Sequence, residues 1–419
     1  MPLFIRPEKT LNQHVMDAQP KRIFHYAAFR YLFFARLFTV LGNGIAPIAL
    51  AFAVLDIGGT PAQLGIVVAA RSLFNVIFLM VGGVLADRYP RGRVLFSSSM
   101  LAALSQALIA WLILDGSATI VSLAVIGAFN GAAAGIALPA SSAMVPQTVP
   151  ATRLRAANAV IQLSIYAGTV IGASMGGVLT STVGPGWGLA IDALGFAISA
   201  PLYLLIKTGA GQVVSAQSSI LHDLRDGWQA FSSRSWVWVI VAQFTVVNAA
   251  FSGVVMVIGP IVADASFGRA GWGMSVAAQS VGLIAGSFIA LRWRPQRELF
   301  IGVMLVALSA LPVLLLSQGA SPGWLMAAFF MAGMGFGQFG VVWAHSLQTH
   351  IPPDKLARVY AWDALGSFVA IPLGEIAAGP LAMHFGTGKV LLASTAAVLI
   401  ATLAATLTPA IRRLDNPHH

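Results

Sequence analysis

The recurrence of long apolar segments constrains this chain more than any other feature. Twelve of them, near 29–55, 62–86, 93–114, 118–140, 156–180, 186–206, 235–262, 270–291, 299–317, 322–347, 357–383 and 388–410, are each long enough to cross a bilayer. In hydrocarbon every backbone N–H and C=O must find a partner within the protein, so segments of this length have to be helices. With 58% hydrophobic and only 9% charged residues among 419, an ordinary soluble domain is excluded. The absence of cysteine excludes disulfides and thiol chemistry. The polar stretch before the first segment lacks a signal-peptide pattern.

The formal net charge of +10 raises the question of nucleic acid, and the distribution of the charge answers it. All Lys and Arg except Arg36, Arg71, Arg269 and Lys389 lie in, or within two residues of, the N-terminal tail, the C-terminal tail, or every second loop. Arg36 and Arg71 fall inside segments, and Arg269 and Lys389 fall in the opposite loops. Basic residues gather on the cytoplasmic side of membrane proteins. The charge therefore reads as topology: a multi-pass protein of the cell inner (plasma) membrane, both termini cytoplasmic, with no nucleic-acid partner.

The pattern breaks once, after six segments. It predicts an N-terminal tail (1–28), a six-span bundle (29–206), a cytoplasmic linker (207–234), a second six-span bundle (235–410) and a C-terminal tail (411–419). The linker opens with Gly209, Gly211, Ser215 and Gln217, then places Ile220, Leu221, Leu224, Trp228 and Phe231 at helical spacing. This reads as an amphipathic helix on the membrane surface, with a partner-binding helix as the alternative. The closing His418-His419 is either native or the remnant of a tag.

Between the second and third spans the run Gly82-Gly83-Val84-Leu85-Ala86-Asp87-Arg88-Tyr89-Pro90-Arg91-Gly92-Arg93 ends an apolar helix in a tight charged turn. Small residues let helices approach closely, and arginines anchor a turn in the cytoplasm. The run resembles the signature of the major facilitator superfamily, roughly G-x-L-A-D-R-x-G-R-[RK], with Pro90 where the family often has Gly. Gly286-Ser287-Phe288-Ile289-Ala290-Leu291-Arg292 repeats it faintly between spans eight and nine, without the acid. The resemblance implies an all-α membrane protein of twelve transmembrane helices in two six-helix bundles, with a substrate site between them. It also implies a conformational gate of Gly83, Asp87, Arg88, Arg91 and Arg93, with Asp87 latching onto the start of span eleven when the cytoplasmic side is shut.

Span five carries Gly168, Gly172, Gly176 and Gly177 in a run similar to the antiporter motif of superfamily exporters, G-x-x-x-G-P-x-x-G-G, with Ala173 in place of Pro. That implies a hinge; the same spacing also serves plain small-residue packing. The span-four arginine of the drug–proton antiporters is missing, Gly127 standing at its position. Leu138-Pro139-Ala140, Asp192-Ala193-Leu194-Gly195-Phe196 and Gly379-Pro380-Leu381 resemble the macrolide-efflux and siderophore-exporter branch instead. Asn43 stands where that branch often has Asp.

Ionisable groups inside spans cost about 2.5–3.5 kcal/mol each on insertion scales, so each needs a reason. Arg36 can snorkel to the headgroups or join a local ion pair. Arg71 lies deeper, and it either faces the cavity or pairs with an acid, Asp56 or Asp192. Asp363, one turn into span eleven, also complements the positive end of that helix. Glu375, after Pro372 and Gly374, has no cation on its own span, and a carboxylate so placed suits proton transfer or cation binding, with an ion pair to Arg71 as the structural alternative. Glu375, Asp192 and Asp363 are therefore the candidates for proton coupling. His345 could join Gln338 and Gln348 in a polar network or pack as a bonded histidine.

For an amphipathic substrate the candidates are Phe38, Asn43, Arg71, Tyr166, Phe251, Trp343 and Glu375, aromatic faces around a buried acid. There is no phosphate-binding loop, no metal-ligand cluster and no nucleophile triad, so neither an enzyme nor a cofactor is expected. The expected protein is a monomeric secondary transporter whose partners are a small molecule, protons and the bilayer. A dedicated siderophore or antibiotic exporter, a lipid translocator and a non-transporting sensor are the alternatives.

Overall fold

The structure, a computed structural model, describes residues 23–206, 227–293 and 295–414. Those residues form twelve membrane-length helical spans: α1 (Ala27–Asp56), α2 (Pro61–Ala86), α3 (Arg91–Leu114), α4 (Ile120–Ser142), α5 (Ala156–Thr182), α6 (Pro185–Leu204), α7 (Ser235–Ala265), α8 (Arg269–Arg292), α9 (Glu298–Ser317), α10 (Pro322–His350), α11 (Arg358–Phe385) and α12 (Thr387–Leu407). No strand occurs among the described residues. The starts of α1 and α7, the ends of α6 and α12 and the arginine-rich α2–α3 turn share one end, the basic end; the other is the far end. His418, His419 and the linker up to residue 226 lie outside the described residues.

The two halves repeat one packing scheme. In the first half α2 packs on α4, α1 on α5 and α3 on α6; in the second, α8 packs on α10, α7 on α11 and α9 on α12. Glycines make the closest of these approaches. Gly131 lies against the Arg71 carbonyl, and in the second half Gly282 and Gly286 lie against the carbonyls of Phe330 and Met334. Without side-chain bulk the helix backbones meet directly, which is how helices gain packing energy where hydrophobicity gives none.

Three spans depart from regular helix. α7 contains a π-helical turn at Val254–Ile258, α9 a 3-10 turn at Val306–Ser309, and α11 breaks after Phe368 and restarts at Ile371. Pro372, in the first turn of the new segment, has no N–H to return to the preceding turn, so the break falls where proline is tolerated.

Buried apolar residues form one far-end cluster drawing on both halves, from Ile45, Phe52 and Leu64 to Phe251, Trp272 and Phe329. At the basic end each half keeps its own cluster, around Phe29, Leu95 and Tyr203 in the first and Val237, Val303 and Trp343 in the second. The halves meet along two seams. In one, Gly177 of α5 faces Gly273 of α8; in the other, Gly65 of α2 lies against the Glu375 carbonyl and Gly379 of α11 against that of Pro61. All of these residues belong to the far-end parts of their spans. The molecule is closed at the far end and parted at the basic end.

The last part of the linker is helical at 227–232 and docks on the second half. Phe231 is buried in the basic-end cluster, and Trp228 stacks on it at 5.6 Å while meeting Trp362 edge-on at 5.0 Å.

Candidate functional site

Glu375 is 2% exposed, five residues into the restarted segment of α11. Its Oε1 accepts a hydrogen bond of 2.7 Å from Ser252 Oγ of α7, and among the described residues its Oε2 has no hydrogen-bond partner. Ser72 and Arg71 of α2 face the carboxylate from the other half. One acid thus stands where α7, α11 and α2 meet, at the inner edge of the closed seam.

Arg71 sits beside it but is held by its own half. Its Nε donates to Asn130 Oδ1 of α4 at 3.0 Å. Asp192 of α6, wholly buried, accepts from Gln106 Nε2 of α3 at 2.6 Å, and it packs over Gly42 of α1. Arg71, Gln106 and Asn130 border a cavity of about 10 Å3, room for one water. Asn130 Nδ2 and Asp192 Oδ1 are both buried without a hydrogen-bond partner. No ion pair joins Arg71 to Asp192 or Glu375 among the described residues, although both acids act on it electrostatically.

Asp56, expected as one possible partner of Arg71, pairs with Arg269 instead. The reason is depth. Arg71 lies ten residues below the start of α2, about 15 Å at helical rise, whereas Asp56 and Arg269 both stand at the far-end surface. Arg269 also donates to Asp264 at 2.7 Å and lies 4.9 Å over the Phe52 ring, so one arginine ties α7, α8 and α1 together.

The remaining residues singled out from sequence scatter. Asp363 accepts from Trp343 Nε1 at 2.9 Å and from Ser367 Oγ at 3.2 Å, which binds α10 to α11 within the second half. Trp343 also stacks on Phe339, and Phe251 is buried against Phe329 and Phe336. Phe38 and Asn43 are half-buried on α1. Tyr166 lines a cavity of about 660 Å3 between α5, α8 and α10 together with Gln162, His345 and Gln348. Gln338 makes no hydrogen bond to His345: it is 1% exposed, next to Gly302, with both amide atoms unpaired among the described residues.

The glycines expected to act as one hinge divide between two neighbours. Gly168, Gly172 and Gly176 face α1, and Gly177 alone faces α8. In the α2–α3 turn Gly82 lies against Gly135 and Ile136 of α4, whereas Gly83 has nothing within 4 Å of where a Cβ would stand. The close approach expected of both glycines is thus made by Gly82, the two residues pointing to different sides of the helix. Arg91 donates to the Ala143 carbonyl at 2.9 Å, fixing the turn to the end of α4, and Arg88 and Arg93 are exposed. The side chain of Asp87 lies outside what the structure describes.

Residues 32–375 match the family model of the Major Facilitator Superfamily. The chain belongs to that superfamily. Among curated superfamily relatives, it is 24% identical over 407 residues to the multidrug efflux pump Tap of Mycolicibacterium fortuitum, covering 92% of this chain and 96% of that one. It is 28% identical over 170 residues to the enterobactin exporter EntS of Citrobacter koseri, 41% of each chain. Among solved structures, a bacterial homologue of the human lysosomal transporter Spinster, inward-facing and unoccupied, superimposes with a TM-score of 0.70 at 14% identity, covering 94% of this chain and 98% of that one. The match establishes a transporter of the superfamily, and the superposition establishes its fold.

Within that superfamily fold the site includes residues that sequence reasoning passed over. Ser252, Gln106 and Asn130 carry the hydrogen bonds to Glu375, Asp192 and Arg71, Ser72 faces Glu375 beside them, and none is conspicuous in a span. A neutral amide or hydroxyl raises no insertion alarm, and Ser often bonds back to its own helix. The available signal was two amides within otherwise apolar spans, Gln106 and Asn130, which the structure buries.

Proposed function

We propose that this superfamily member exports amphipathic small molecules by alternating access, in exchange for protons. The reading rests on Glu375. Its carboxylate is bonded to α7 and faces Arg71 and Ser72 across the boundary between the halves, so its charge acts on the seam that must open to release substrate. A group whose protonation favours one of two packings shifts the balance between them by that difference in free energy. With the basic end in the cytoplasm, as the distribution of Lys and Arg supports, the parted end receives substrate from inside. The polar-and-aromatic cavity beside Tyr166 is placed to hold it. The export direction is supported by the likeness to Tap and EntS.

The test is substrate-evoked proton movement in proteoliposomes under an imposed pH gradient, with lipophilic cations, macrolides and siderophores as the panel. Several unrelated compounds should each evoke proton release, and Glu375→Gln should cut it at least tenfold while inserting and folding normally. Wild-type proton flux in that variant would sink the assignment to Glu375. A response to one class alone would favour a dedicated exporter, the reading that the partial match to EntS supports.

A further inference from the structure

We propose that the outer groove between α7, α11 and α12 is a binding site for one anionic phospholipid, the phosphate beside Lys389 and an acyl chain along the groove. This site is separate from the transport pathway and does not rest on the export reading.

Two adjoining hollows of about 500 and 440 Å3 share Ala250, Leu381, Val390 and Ser394 and form one trough. Its rims are strongly exposed apolar residues, Leu373 at 64%, Phe385 at 54% and Leu381 at 42%, which at membrane depth means exposure to lipid. Its floor is hollow because α7 and α11 meet through Gly253 and Gly374 and because Ala393, Ser394 and Ala397 give α12 a low surface. Small residues at such a junction normally let a neighbouring helix close in; here no described helix does.

Charge identifies the occupant. Among the described residues no acid lines either hollow, and the single charged group there is Lys389 at the far-end mouth. Lys389 is exposed and in no ion pair among the described residues, whereas Arg269, the other basic residue of the far-end loops, is taken by Asp56 and Asp264. Lys389 also stands in the first turn of α12, where free backbone N–H groups favour an anion. A lysine on the side of the membrane that basic residues avoid needs a reason, and a headgroup phosphate supplies one.

Depth agrees. From Phe385 to Leu373 the trough follows α11 for about 18 Å at helical rise, and one leaflet of hydrocarbon is about 15 Å deep. A lipid with its phosphate at Lys389 would lay its chain along the whole trough. It would there touch Gly374, next to Glu375 in sequence, where α11 packs on Ala249 and Gly253 of α7.

The experiment is native mass spectrometry of the delipidated full chain titrated with phosphatidylglycerol or phosphatidylethanolamine. Phosphatidylglycerol should bind at one preferred site, and Lys389→Gln should weaken that binding roughly fivefold, the effect of one basic residue at a membrane surface. Lys389→Arg should retain it. Ala393→Phe, at an exposed position, should fill the trough and remove it; Ala397→Leu provides a second filling variant should the first not fold. Equal binding by wild type, Lys389→Gln and a folded filling variant would overturn the proposal. So would equal retention of phosphatidylethanolamine.

Discussion

The two ends of this molecule are built differently, and the difference shows how one chain can hold two packings. At the far end each of the six turns contains a glycine in the left-handed region, Gly58, Gly116, Gly184, Gly268, Gly319 and Gly386, and no other residue type adopts that conformation among the described residues. Such turns reverse the chain in a few residues, which keeps helix ends close. Thr60 and Thr119 add capping boxes to the starts of α2 and α4. The basic end has no such glycine among the described residues, and its connections, apart from the tight α2–α3 turn, are longer; most are rich in Arg. The far end therefore closes as one apolar core, while the basic end stays as two cores with a gap between them.

Closure at the far end depends on backbone meeting backbone, which makes it easy to break. A Cβ at Gly177 would stand 2.9 Å from both the Arg269 carbonyl oxygen and the Gly273 Cα. Gly177→Leu should cost about 3 kcal/mol in the far-end-closed packing and nothing in a packing where α5 and α8 part there. That shifts the populations on the order of a hundredfold. A pair of spin labels on two introduced cysteines, usable because the chain has none of its own, should report a far end held open, and a transport assay should find activity abolished. Gly323→Ala, at a position where a Cβ would meet nothing within 4 Å, is the control. An unchanged far-end distance in the Gly177 variant would mean that the α5–α8 seam does not decide closure.

Much of this architecture was legible in the sequence, and the parts that were not have physical reasons. The spans were legible because hydrocarbon tolerates so little else: the expected 62–86 and 270–291 correspond to Pro61–Ala86 and Arg269–Arg292. The last expected span, 388–410, ends instead at Leu407, because Pro409 starts a separate short helix. Glu375 stood out because an acid in a span is costly. Its neighbours were less legible: sequence gives the depth of a side chain along a helix but not the direction it faces. Hence Asp56 could be suggested for Arg71, although it lies a membrane layer away. The same limit joined Gly177 to Gly176, which lies about 100° around the helix and packs on a different partner.

The basic end offers the converse experiment. The α2–α3 turn is fastened to its own half through Arg91 and Ala143, while the latch expected of Asp87 would act only when the two basic-end cores come together. Asp87→Asn should therefore leave the far-end-closed packing intact and weaken the opposite one. A hydrogen bond to a charged group is worth about 1.5–3 kcal/mol, so the populations should move roughly tenfold toward a parted basic end, with slower turnover. Normal turnover with an unchanged distance distribution would remove Asp87 from the gate.

The smallest effect is expected where the far-end seam is tied by charge. Arg269 bonds to Asp56 across the halves, yet the two side chains remain 19% and 38% exposed, and water competes for both. Pairs of this kind contribute about 0.2–1 kcal/mol. Asp56→Asn should thus favour far-end opening by no more than about fivefold, well below the glycine variant, because Arg269 keeps Asp264 and its place over Phe52. The shift should shrink further as salt is raised, since screening already weakens the wild-type pair. An effect as large as that of Gly177→Leu would reverse the ranking, making charge rather than close backbone packing the main lock on this end.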